Sequence, residues 1–433
     1  VHRSAGRTAA ASLTVALAMI ATACSAQRAA PVITRPPPPS TSTTTAAPAL
    51  PPSAEPPPST TTIPERTTTT TTTVPVRPAA WKSFDDALAY RMLRAGDYAV
   101  SVAIAVDGRV VHTGAFGYRV PPPPPRKRGG GTNDRPRSRQ RPDGVQTTDR
   151  FRIASISKIL TAAVVLQLVE DGELKLDQPV ARQLADYVGV RVTDPGVAAI
   201  TVRQLLSHTS GLSTYDDLFF GAGADSCRTA AAVGLTGNLV APPGTRYVYS
   251  NLGFCLLGLL IEQVTGRPYE VEVRKRLLEP LGITGMRVAA TFDPNPAEVE
   301  HPSVPTRNYM EVLGPAGAWV ATPGDLVKVV DSLDPTKPGW HPLSTRMLEL
   351  MRRPARKVRY AHRDDHWYGL GLIVFADGSF GHTGTIENTH AMVLARPDGV
   401  TWSVLVSGEY PWETDDLRPI FDETMAAAGV ALP

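Results

Sequence analysis

The chain has 433 residues, with 44 Lys+Arg against 41 Asp+Glu and an excess of proline, 41 in all. Residues 121–144 hold seven of the basic and two of the acidic side chains, and the remainder holds 37 against 39. The bulk is therefore near neutral, which argues against a nucleic-acid-binding domain or a strongly basic membrane surface, and three cysteines are too few for a disulfide scaffold or a Cys-rich zinc domain.

Residues 1–24 predict an export signal. His2, Arg3 and Arg7 precede an apolar run from Ala9 to Ile20, shorter than the ~20 residues of a comfortable membrane span. The segment Ala21-Thr22-Ala23-Cys24 resembles a bacterial lipobox, whose cysteine is acylated. The expectation is an exported lipoprotein on the cell membrane, facing the cell wall, with plain secretion as the alternative. Residues 25–80 follow as a Pro/Thr spacer, with 14 prolines and 15 threonines between positions 31 and 79. Such a segment has too little apolar surface to offset its ordering entropy, so disorder is expected there.

Ser83 to Gly96 predicts a helix, capped by Ser83, with Phe84, Leu88 and Met92 on one face. Tyr98–Val106 and Arg109–Gly117 are apolar, β-branched runs joined by Asp107-Gly108, a hairpin turn signal. Residues 121–144 then read as a disordered basic insertion. Ser157–Gly172 and Leu252–Val264 carry the spacing of buried helices, the second ended by Gly266-Arg267-Pro268. Leu370–Phe375, His390–Ala395 and Thr401–Val406 read as strands, and Asp416–Ala428 as a last helix. The prediction is an α/β (α+β) domain over 81–433. Its antiparallel sheet, flanked by helices, is built from both chain ends, with an inserted, mainly helical subdomain over about 151–310.

Three short motifs carry chemistry. In Ser155-Ile156-Ser157-Lys158 the first and last residues lie three apart, close enough for the amine to reach the hydroxyl. A serine hydroxyl needs an adjacent base, and lysine serves once burial depresses its pKa. Tyr249-Ser250-Asn251 sits before an apolar helix, where a phenol beside a lysine can act as general base and an amide can hold a substrate carbonyl. His382-Thr383-Gly384-Thr385 falls at or beside a strand, where a glycine permits close substrate approach and a backbone N–H can serve an oxyanion hole.

Together and in this order, the motifs resemble the serine β-lactamase and penicillin-binding-protein superfamily. The nearer branch is the class C β-lactamases, D-alanyl-D-alanine carboxypeptidases and related esterases. Residues 151–158, 200–212, 247–251, 280–284 and 317–325 share the resemblance. It implies a serine hydrolase in which Ser155 is acylated and Lys158 and Tyr249 share the general-base role. The backbone N–H groups of Ser155 and Thr385 would form the oxyanion hole. Asn251, His382, Thr383, Gly384 and Thr385 would contact a small ester, amide or peptidoglycan-type substrate. No metal or cofactor is implied. Carboxypeptidase or esterase activity ranks above β-lactamase activity, because His382 stands where many β-lactamases have lysine. The rival class is a non-catalytic envelope protein that binds penicillin or peptidoglycan. Cys227 and Cys255 flank Tyr249 and are candidates for a disulfide, His208 reads as structural, and His362-x-x-x-His366 has ligand-like spacing but no zinc motif around it.

Overall fold

The computed structural model describes residues 78–121, 144–221, 223–354 and 366–432. Cys24, His362, the export signal and nearly all of the spacer and basic insertion lie outside these residues. The strands are β1 (Ala99–Val106), β2 (Arg109–Gly117), β3 (Phe151–Arg152), β4 (Arg287–Val288), β5 (Trp319–Ala321), β6 (His366–Tyr368), β7 (Ile373–Phe375), β8 (Phe380–Ile386), β9 (Thr389–Ala395) and β10 (Val400–Ser407).

One antiparallel sheet of seven strands runs in the order β2-β1-β10-β9-β8-β7-β6. β1 lies beside β10 in the register Ala99↔Ser407 to Val106↔Val400, so both ends of the domain build the sheet. The β1–β2 turn uses Asp107 and Gly108, both at positive φ, the handedness that matches strand twist in a tight hairpin. Helices Pro78–Arg94 and Leu417–Ala427 cover one face of the sheet. There Phe84, Leu88 and Met92 meet Trp402 and Phe421, whose rings stack at 4.1 Å. A larger core contains the helices Ser157–Glu170 and Asn251–Thr265, both apolar nearly all round. A helix of that kind is stable only when enclosed on every side.

Several elements differ from their sequence expectation. The first helix begins at Pro78, inside the range expected to be spacer, and Ser83 is inside the helix with its hydroxyl donating to the Ala79 carbonyl. Leu370–Phe375 is not one strand. Gly371 takes φ 84° there and passes so close to Ala162 that a Cβ would stand 2.3 Å from it, which sets the chain up to bend before β7. The helical middle also contains β3 and β4, which join β5 in a second, three-stranded sheet. Two-residue strands leave no alternation to read. Helices continue past residue 310, at Pro323–Ser332 and Thr345–Arg352.

Candidate active site

Ser155 is not on an α-helix. β3 runs into a single 3₁₀ turn, Ala154–Ile156, and the α-helix starts only at Ser157. Ala154 holds φ 45°, a strained value for a residue with a Cβ, of the kind found where surroundings over-determine the backbone. The Ile153 N–H donates to Trp319 O at 3.1 Å, and the Ser157 hydroxyl accepts from the Trp319 N–H at 3.2 Å. From the other side β8 presses in at Gly384, where an added Cβ would lie 2.2 Å from the Ile153 carbonyl. Only glycine fits there.

Lys158, in the first turn of the helix, is fully buried. Its Nζ stands 2.9 Å from Ser155 Oγ, 2.8 Å from Asn251 Oδ1 and 2.8 Å from the Ala316 carbonyl. No carboxylate pairs with it among the described residues, and desolvation pushes its pKa well below the ordinary lysine value. The neutral amine has two protons and one lone pair. Asn251 Oδ1 and Ala316 O can only accept, so they take the two protons and leave the lone pair for the Ser155 hydroxyl.

Tyr249 and Asn251 reach this point from the start of the Asn251–Thr265 helix. The Lys158 Nζ lies 4.9 Å from the centre of the Tyr249 ring. Ser250 between them is locked by two bonds: its N–H donates to His208 Nδ1 at 3.1 Å and its hydroxyl to Ser213 O at 2.7 Å. His208 is buried among Tyr249, Phe254 and Tyr368, and burial holds its pKa well below the usual imidazole range. Its contacts are those of a positioning residue. A disulfide between Cys227 and Cys255 ties the Asn251 helix to the Cys227–Thr236 helix.

His382 lies in β8 and is buried behind the site rather than at its surface. Its Nε2 pairs with the Tyr368 hydroxyl at 2.9 Å and its Nδ1 with Thr383 O at 2.5 Å. Burial, with Lys158 nearby, lowers its pKa to about 3. The strand's contribution to the open cleft is Thr385 and Ile386, not His382 and Thr383. The cleft holds about 190 Å³ and brings Ser155, Tyr249, Asn251 and Thr385 together. Asp216, Phe220, Leu313 and Gly317 complete its wall. None of these four was legible as a site residue, since a wall side chain needs only size or charge, not a motif. A larger cavity of about 690 Å³ lies around Arg152 and the 289–303 loop, but it contains neither the hydroxyl nor the amine. His366 pairs in β6 with β7, and no group of three ligand-type side chains lies together among the described residues.

The Beta-lactamase family model matches residues 84–423. The chain is similar to "Penicillin-binding protein 4" of Amycolatopsis lactamdurans, with 30% identity over 319 residues, 67% of this chain and 80% of that protein. It is also similar to the "D-alanyl-D-alanine-carboxypeptidase/endopeptidase AmpH" of Escherichia coli (strain K12), at 28% identity over 45% of this chain and half of that one. Among solved structures, the octameric penicillin-binding protein homologue from Pyrococcus abyssi has the same fold, with TM-score 0.63 and 21% identity over 80% of this chain and 77% of that one. A hydroxyl, a buried amine and a close-pressed strand on this fold thus come with a family match over residues 84–423, and the chain belongs to the Beta-lactamase family of serine hydrolases.

Proposed function

We propose that Ser155 is the nucleophile of an acyl-enzyme hydrolase and that Lys158 is its base. The observation that carries this reading is the buried amine 2.9 Å from Ser155 Oγ, with no carboxylate beside it among the described residues. Lys158 takes the Ser155 proton as Oγ bonds to the substrate carbonyl carbon. The carbon–nitrogen or carbon–oxygen bond to the leaving group then breaks, and Lys158 and Tyr249 return the proton to that group. Water repeats the sequence on the acyl-enzyme and frees Ser155. The N–H groups of Ser155 and Thr385 stabilise the oxyanion, and Asn251 holds the substrate while fixing Lys158.

No basic side chain among the described residues lines the cleft, and a neutral His382 supplies no counter-charge to a carboxylate. That favours small esters and amides over β-lactams, whose carboxylate needs a partner. A second reading, a carboxypeptidase of D-alanyl peptides, is supported by Arg307. This exposed arginine lines an adjoining space of about 300 Å³ that shares Phe220 and Ile386 with the cleft, and its guanidinium has no ion pair among the described residues. The N-terminal sequence supports export with Cys24 as the lipid anchor; Cys24→Ala should then release the protein from membranes.

The test is incubation of the protein with p-nitrophenyl acetate, a D-Ala-D-Ala peptide and a fluorescent penicillin, with Ser155→Ala as control. Mass spectrometry should find an acyl adduct on Ser155, and the variant should form none. Equal turnover by the variant sinks the proposal.

A further inference from the structure

Among the described residues that wall the Ser155 cleft, one side chain carries a full charge, and it is acidic: Asp216. It opens a five-residue helix, Asp216–Phe220, whose last residue also faces the cleft. Tyr215 just before it takes φ 54°, ψ 39°, a left-handed conformation that an aromatic side chain rarely adopts. The Tyr215 hydroxyl packs at Gly237, where a Cβ would stand 3.1 Å away. The strained residue therefore turns the chain so that Asp216 reaches the cleft wall. One of the Asp216 oxygens accepts from the Thr214 hydroxyl at 3.1 Å, and no Lys, Arg or His pairs with the carboxylate among the described residues.

An uncompensated carboxylate in a small cleft with apolar walls at Phe220, Leu313 and Ile386 is a receptor for a cation with a short apolar neighbour. We infer that Asp216 reads an ammonium group on the acyl part of the substrate, so that the enzyme prefers aminoacyl esters and amides with a free amine. The inference rests on the acyl-enzyme reading above and names its substrate class. Lys158 cannot satisfy Asp216, being buried and already engaged with Asn251 and Ala316. With substrate the carboxylate gains a charge-assisted hydrogen bond close to the reacting carbonyl.

The experiment compares D-alanine p-nitroanilide with its N-acetyl derivative, using the full chain, and reads the ratio of kcat/KM. A hydrogen bond to a charged partner implies a preference for the free amine of about tenfold or more. Asp216→Asn should bring the ratio close to one, mainly through KM, whereas Asp216→Glu should restore part of it. Asp217→Asn, at a neighbouring exposed residue off the cleft wall, should leave the ratio as it is. The preference should also fade as pH rises past the α-amino pKa of about 8, which a purely structural role would not produce. An unchanged ratio in Asp216→Asn, or a wild-type preference for the acetylated substrate, overturns the inference. So does a Ser155 adduct from p-nitrophenyl acetate with no turnover of the free amine. No adduct at Ser155 from any substrate overturns the acyl-enzyme reading instead, and the inference with it.

Discussion

Under the proposed mechanism, Lys158 is prepared for proton transfer by what surrounds it. Because burial lowers its pKa, the active, unprotonated amine should persist to lower pH than in free lysine. The rising limb of kcat/KM against pH should therefore lie well below 10.5, with activity lost as pH falls through the lowered value. Lys158→Arg should reduce kcat/KM by roughly 10²–10⁴-fold, the usual worth of a general base, because a guanidinium keeps its proton. A rising limb near the ordinary lysine value would count against the mechanism. At this scale the sequence was informative where chemistry requires a particular side chain, as at Ser155, Lys158, Tyr249 and Asn251. It was silent about the Ala316 carbonyl, since every residue offers one. His382 was identifiable as a motif residue, but its place behind the wall depends on Tyr368, which no motif marks.

Elements bring these residues together by close approach. The Asn251–Thr265 helix touches the Gly314–Ala316 turn at Gly258, where a Cβ would lie 2.0 Å from the Pro315 ring. Pro315 is a rigid neighbour and cannot yield. Gly258→Ala should therefore wedge the helix from the turn that carries the Ala316 carbonyl, despite the better helix propensity of alanine. The expected loss is about 1–3 kcal/mol by chemical denaturation, as for other overpacked cores. Activity should fall along with stability, because Asn251 and Ala316 O both hold Lys158. An unchanged denaturation midpoint would show that the contact can relax. The long helices and strands were legible because their apolar residues repeat. β3, β4 and β5 were not, since segments of two or three residues are held by their partners and not by pattern.

Over the whole molecule, the two ends of the domain meet at Asp97. This nearly buried carboxyl accepts from the Tyr410 N–H at 3.0 Å, beside Gly408, where a Cβ would lie 2.1 Å from its oxygen. Burial raises its pKa to about 7, with the Tyr410 bond opposing. A carboxyl whose folded pKa is raised is favoured in the neutral form. Its contribution is thus complete below the unfolded value of 3.8 and declines as pH rises through about 7. The melting temperature of the wild type should fall between pH 5 and 8 by more than that of Asp97→Asn, and parallel curves would exclude Asp97 as the responsible group. That strands at both ends share one sheet was legible from their placement in the chain. The ionisation of Asp97 was not, because burial is a property of the assembled fold.

The pairing of β1 with β10 also sets an order in time. The β1–β2 hairpin is complete soon after its residues are made, but the edge of β1 that meets β10 stays unpaired until residues 400–407 arrive. Until then the growing chain exposes the hydrogen-bonding side of an apolar strand, a template for wrong partners. The sheet can close, and β8 can press against the Ser155 turn, only after every strand of the domain is available. A nascent or truncated form lacking β10 should therefore be both inactive and prone to associate through β1.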